Sequence, residues 1–232
     1  MKLFDNIFEI DNDNYYGVVG LNKETNYIYI YNKFLNDNKN VLVLTSSLYE
    51  ASYVYQGILN YTDKVLFFPM DDFITSEAVS ISPEFKIERI NTINKLLTND
   101  KYIVVTNLMG FLRYLPSKKL WMDSKIILKK DTEVNKDELF RKLLSIGYVS
   151  DTIVNKTGEV SNRGYILDVF SSNNDNPIRI EFWGDEVDSI RTFDVESQRS
   201  IENMPEITIY PAVEFPQGEE KGVSFLDYFS KE

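Results

Sequence analysis

The first residues with spacing suited to chemistry run from Gly17 to Glu24, GVVGLNKE. They approach the phosphate-loop pattern G-x-x-x-x-G-K-[ST], with Gly17 and Lys23 correctly placed ahead of a helical stretch. Asn22 takes the place of the second glycine, which lets the backbone curl its N–H groups around phosphate. Glu24 takes the place of the hydroxyl that binds magnesium. A carboxylate there sets negative charge where the phosphates would lie. The stretch reads as a decayed nucleotide site or as an ordinary loop before a helix-start lysine. In either case no cofactor and no nucleotide hydrolysis are expected from it.

The second group runs from Arg163 to Arg199: RGYILDVF, a polar loop, then PIRIEFWGDEVDSIRTFDVESQR. Every basic residue in it is arginine, although the chain holds 18 Lys and only 7 Arg. Arginine suits planar, bidentate recognition. Strands alternate their side chains between two faces. Ile178, Ile180 and Phe182 therefore share a core face, and Arg179, Glu181 and Trp183 an outward one. In the next strand Arg191 alternates with Ile190 and Thr192, and the inward set is ambiguous. Exposed tryptophan beside arginine has the composition of an interface hot spot. Two blander readings stand beside it. Arg179 and Arg191 could ladder with Glu181 or Asp188, and Trp183 could cap the sheet against a helix at Asn135–Ile146. Asp185, Glu186 and Asp188 read as a solvated rim rather than a metal site or an acid/base pair.

Composition narrows the function further. Histidine and cysteine are both absent, which removes the commonest general base, the commonest zinc ligand and any disulfide. Absence of cysteine fits a reducing cytosol, so a cytoplasmic location is expected. The net charge of -11 and pI near 4.7 oppose non-specific nucleic-acid binding, which needs a positive field. Acidic residues interrupt the N-terminal MKLFDNIFEIDNDNYYG, so no signal peptide or membrane partner is expected.

Two kinds of organisation are needed to position these groups. Residues 17–115 alternate helix and strand: a helix over Lys23–Asn38, a strand at Val41–Ser47 buried on both faces, a helix over Leu48–Tyr61, a strand at Lys64–Phe68, a helix opened by Ser82 and Pro83, and a strand at Tyr102–Thr106. Such alternation implies an α/β lobe with a mainly parallel, covered sheet. After Pro116 the pattern becomes α+β. A crossing strand is expected near 117–123, a strand at Lys125–Lys130, an amphipathic helix capped by Asn135, and an antiparallel sheet from Gly147 to Ile209 with turns at Thr157-Gly158, Asn173–Asn176 and Gly184-Asp185. The expected division is 1–120, 121–209 and 210–232, the last segment returning to pack on the first lobe. The chain reads as a fragment of a longer protein.

The Arg163–Ser200 stretch resembles domain 2 of the bacterial excision-repair helicase subunit UvrB, and IYPAVEFP resembles the start of that family's next segment. The order of elements over 1–232 resembles the N-terminal UvrB-homologous module of the transcription-repair coupling factor (Mfd) family. The resemblance implies a degenerate RecA-like lobe followed by a UvrB domain 2-like domain. It implies no catalysis in this fragment, although the parent would be an ATP-dependent DNA translocase. The implied partner is UvrA, with Arg163, Arg179 and Trp183 as contacts. Usual family members carry Phe where this chain has Trp183. RNA polymerase, DNA and an autoinhibitory C-terminal domain would be partners of the parent protein. Two departures separate the chain from a working UvrB: the ruined phosphate loop, and only Pro69–Ser82 where UvrB places a long DNA-clamping hairpin. A UvrB-type nucleotide-dependent DNA-binding lobe is the alternative.

Overall fold

Helical periodicity from Lys23 and the apolar run that follows it produce, in the computed structural model, α1 (Lys23–Asp37) and β1 (Val41–Thr45). The model describes residues 18–72, 83–215 and 222–229. In chain order there follow α2 (Leu48–Leu59), β2 (Val65–Phe68), α3 (Pro83–Leu96), β3 (Ile103–Asn107) and α4 (Leu108–Phe111). Contacts divide the chain into two units, the first taking residues up to 81, 98–113 and 229–232, the second 82–97 and 114–228. The helix α3 thus belongs to the second unit. Ser82, the expected cap of α3, lies outside the described residues.

The first unit is a three-stranded parallel sheet in the order β1-β3-β2. Its core joins Tyr27 and Phe34 of α1 to Ala51 and Ile58 of α2 and to Val65, Phe67, Ile103 and Val105. The apolar run predicts β1 to be buried on both faces. It is an edge strand, half-buried, with Leu44 exposed; β3 is the central, fully buried strand. Asn22 caps α1, its side chain accepting from Thr25 N at 2.9 Å, and Asn38 ends the helix in the left-handed region. At the start of α2, Ser47 accepts from Glu50 N, and the Asp72 carboxylate accepts from Leu48 N at 2.8 Å. The chain's own carboxylate thereby occupies the place where a helix N-terminus attracts an anion.

The second unit continues with α5 (Lys118–Ser124), β4 (Ile126–Lys129), α6 (Lys136–Ser145), β5 (Val149–Ser150), β6 (Glu159–Arg163), β7 (Ile166–Val169), β8 (Ile178–Trp183), β9 (Glu186–Phe193), β10 (Ser200–Asn203) and β11 (Glu206–Ile209). The expected crossing strand near 117–123 is α5, capped by Ser117 and anchored by buried Trp121, whose indole N–H donates to Asn94 at 2.8 Å. Strands β5 to β10 form one sheet in the order β10-β9-β8-β7-β6-β5, antiparallel except at β5–β6, and β4 pairs with β11 separately. Asn135 caps α6, accepting from Glu138 N at 3.0 Å. The Leu139 and Leu143 side chains of α6 enter the core built from Leu167, Ile178, Ile180, Phe182 and Ile190. Leu144 of the same helix is exposed.

The sequence-based and contact-based divisions differ in two segments. The helix α3 and the return segment as far as Tyr228 fall in the second unit, and Phe229 in the first. There Arg89 of α3 forms a buried ion pair with Glu214. Ala212 N donates to Ile146 O at 2.9 Å, and Leu115 bridges Val223.

Candidate functional site

Directly opposed residues of antiparallel strands share a face. The registers β6–β7, β7–β8 and β8–β9 therefore align Ser161, Asp168, Arg179 and Arg191 in one row of the outward face. Arg163, Ile166, Glu181 and Ser189 form the next row. The opposite face carries Leu167, Ile180 and Ile190 into the core. A bulge between Glu181 and Phe182 resets the pairing so that Phe182 meets Val187 and Trp183 meets Glu186. This settles the ambiguous strand: Val187, Ile190 and Phe193 are its buried residues.

Arg179 lies on the expected face, but it is not free. Asp168, fully buried, stands opposite it and takes two bonds from its guanidinium, Nε to Oδ1 at 2.7 Å and Nη2 to Oδ2 at 2.8 Å. The same guanidinium lies 4.3 Å from the centroid of the Phe193 ring and donates to Gln198 Oε1 at 3.1 Å. The bond to Asp168, outweighing desolvation, raises the pKa of Arg179 above its ordinary value. With 13% of its side chain exposed, Arg179 is a strut within the sheet. This corrects the picture of a solvent-facing cation beside Trp183. The two are four residues apart on β8, with Glu181 between them, and the Glu181 carboxylate is held by Ser189 and Arg191. Arg191 is likewise an internal partner, with its Nε buried and unpaired among the described residues.

The open part of the face is its hairpin end. Arg163, the last residue of β6, donates to Asp168 Oδ2 at 2.6 Å while its side chain remains 45% exposed. Gly164 (φ 54) turns the chain into β7, and Gly184 (φ 63) turns β8 into β9. Both turns use the left-handed region that glycine enters without a steric cost. Phe182 N donates to Tyr165 O at 2.9 Å, which brings the two turns side by side. Tyr165 is 63% exposed and Trp183 82% exposed. Trp183 therefore does not cap the sheet against α6. Arg163, Tyr165 and Trp183 are thus the exposed cation and aromatics of this end, and Asp185, Glu186 and Asp188 beside them in the chain are exposed too. Among the described residues no acidic group clusters as a metal site.

The phosphate-loop near-miss divides differently. Gly17 lies outside the described residues. Asn22 is committed to capping α1. Lys23 opens that helix, its ammonium 4.5 Å from the centroid of the Tyr53 ring. Glu24 sits in the first turn, exposed.

Sequence reasoning missed Asp168, Phe193, Gln198 and Tyr165. Alternation in ILDVF puts Asp168 outward, between inward Leu167 and Val169, so a signal for a charge partner was present. The identity of that partner depends on register, which the sequence does not show.

The UvrB interaction domain family matches residues 126–215. That stretch contains both hairpin turns and the whole antiparallel sheet. The chain is also 36% identical over 200 residues to a transcription-repair-coupling factor of Staphylococcus haemolyticus, covering 85% of this chain and 17% of that protein. It is 35% identical over 179 residues to the transcription-repair-coupling factor of Bacillus subtilis, covering 76% of this chain and 15% of that protein. A Staphylococcus aureus relative of the same name is 33% identical over 200 residues. The chain thus spans less than a fifth of the length of these relatives. Among the described residues no helix is long and apolar enough to cross a membrane.

Proposed function

We propose that this chain is a non-catalytic recognition module of a transcription-repair coupling factor. Its first unit is a degenerate RecA-like lobe. Its second is a UvrB domain 2-like platform that imitates UvrB and captures UvrA. In the parent protein this brings nucleotide excision repair to a stalled RNA polymerase. There a C-terminal domain masks the same face, and a separate ATP-dependent motor works on DNA.

The observation that carries this reading is the hairpin end of the interaction domain, where Trp183 is 82% exposed and Arg163, the last residue of β6, keeps 45% of its side chain exposed. A large aromatic left in water costs the fold free energy that a partner recovers by burying it. Trp183 and Tyr165 supply apolar area, and Arg163 supplies charge-assisted bonds to a carboxylate or carbonyl of UvrA. Arg179 acts at one remove. It fixes Asp168, which orients Arg163, so it is a positioning residue rather than a contact.

Calorimetric titration of purified UvrA with the chain tests the proposal. Saturable binding is expected, weakened by Trp183→Ala and by Arg163→Ala. Equal binding of both variants and the unaltered chain overturns the assignment. Titration with ATP and magnesium is expected to give no binding; saturable heat there supports the nucleotide-dependent alternative.

A further inference from the structure

Away from the hairpin end, the second unit encloses a cavity of about 240 Å³. Ile87 and Ile90 of α3, with Ala212, give it apolar walls; Lys86, Lys156, Thr157, Glu159 and Ser172 supply its polar groups. Two of these groups are not satisfied by the chain itself. Lys86 is half-buried and, among the described residues, has no ion-pair partner. Glu214 favours the Lys86 charge but is ion-paired with Arg89, and Glu159, in the lining, accepts from the backbone N–H groups of Asn155 and Lys156. The Ser172 hydroxyl is buried without a hydrogen-bond partner.

A partly desolvated ammonium that shares its nearest carboxylate, Glu214, with a second cation, Arg89, is costly, as is a buried hydroxyl without a partner. Desolvation accordingly lowers the pKa of Lys86 from its ordinary value. Both groups border one cavity with apolar walls, so a single ligand could satisfy both. Apolar cavities of about 150 Å³ already admit benzene, so this one has room for a ring bearing one charged group. A doubly charged phosphate fits these walls poorly, because its hydration would have to be given up against apolar side chains.

We propose that this cavity is a binding site for a small monocarboxylate with an apolar body. Lys86 meets the charge, the Ser172 hydroxyl donates to a carboxylate oxygen, and Lys156 draws anions to the entrance. The site is independent of UvrA recognition.

Benzoate is the probe, and benzamide, of similar shape without the charge, is its control. Each is titrated into the whole chain while amide NMR follows Gly147, Val149 and Gly158 beside the cavity. Benzoate should shift these amides saturably at millimolar concentration, with benzamide about ten-fold weaker or more, a difference of about 1.4 kcal/mol. In Lys86→Met the preference for the charged ligand should vanish, with far-UV circular dichroism unchanged. No saturable shift, or equal affinity for the two ligands, overturns the proposal. That comparison decides on the unaltered chain, even if the variant fails to fold. Retention of the preference in a folded Lys86→Met chain also overturns it.

Discussion

Trp183→Ala is the perturbation from which most can be learned. The ring is 82% exposed, so its removal leaves no cavity, and stability should stay within about 0.5 kcal/mol of the unaltered chain. Partner binding should respond differently. A tryptophan carries about 200 Å² of surface to bury. At about 25 cal/mol per Å² that sets a ceiling of about 5 kcal/mol. Ordering of the ring and imperfect pairing of polar groups at the rim absorb part of it, and a loss of about 2 kcal/mol is typical of an aromatic hot spot. That corresponds to roughly thirty-fold in Kd. Trp183→Phe, which keeps a flat apolar ring, should recover most of the loss. Calorimetry with UvrA gives the affinities, and urea unfolding gives the stability. The chain has 2 tryptophans, and Trp121 is fully buried, so an aqueous quencher should reach Trp183 alone in the free chain. If Trp183→Ala binds UvrA with unchanged affinity while folded, the hairpin end is not the contact surface.

Arg163→Ala and Arg179→Ala should separate contact from support. Arg163→Ala should weaken UvrA binding by about 1–2 kcal/mol with little effect on urea unfolding. Arg179→Ala should cost about 3 kcal/mol of stability, because it strips the bidentate partner from a buried carboxylate. Gly147→Ala should cost more in thermal unfolding than Gly184→Ala. Both have positive φ, but a Cβ at 147 would collide with Val213, whereas nothing lies within 4 Å at 184; the shared backbone penalty is about 1–2 kcal/mol. Lys86→Met should raise the urea midpoint at neutral pH. The Lys86 pKa is lowered in the folded chain, so the unfolded chain binds the proton more tightly and the penalty is complete below the folded value. It fades as pH rises toward the ordinary value of 10.5. The advantage of the variant should therefore shrink with rising pH, and a constant difference would refute this origin.

Local signals carried most of the fold. The helix α6 was legible because Asn135 caps it and Leu139 and Leu143 recur at helical spacing. Errors arose where the deciding quantity is non-local. VLVLT reads as a strand buried on both faces, yet centre or edge depends on strand order, and the order β1-β3-β2 gives the central place to β3. Leu120, Trp121 and Met122 are three apolar residues in a row, too few turns to show helical period. Ser117 as N-cap was the cue that α5 is a helix.

The candidate site shows the same limit in sharper form. Alternation correctly places Arg179 and Trp183 on one outward face, but cannot tell a cation facing solvent from one facing Asp168. The difference follows from register, which puts Asp168 opposite Arg179 and leaves Arg163 at the end of the neighbouring strand. Two guanidinium groups then share one buried carboxylate. One positive charge in that trio is uncompensated, and of the two arginines only Arg163 is substantially exposed. The excess charge is therefore presented through Arg163, against an overall charge of -11. The all-arginine composition of this stretch has a physical reason in that arrangement. Lysine could not bridge both oxygens of Asp168 while lying flat over Phe193, so the planar cation that builds the sheet differs in role from the one offered to a partner.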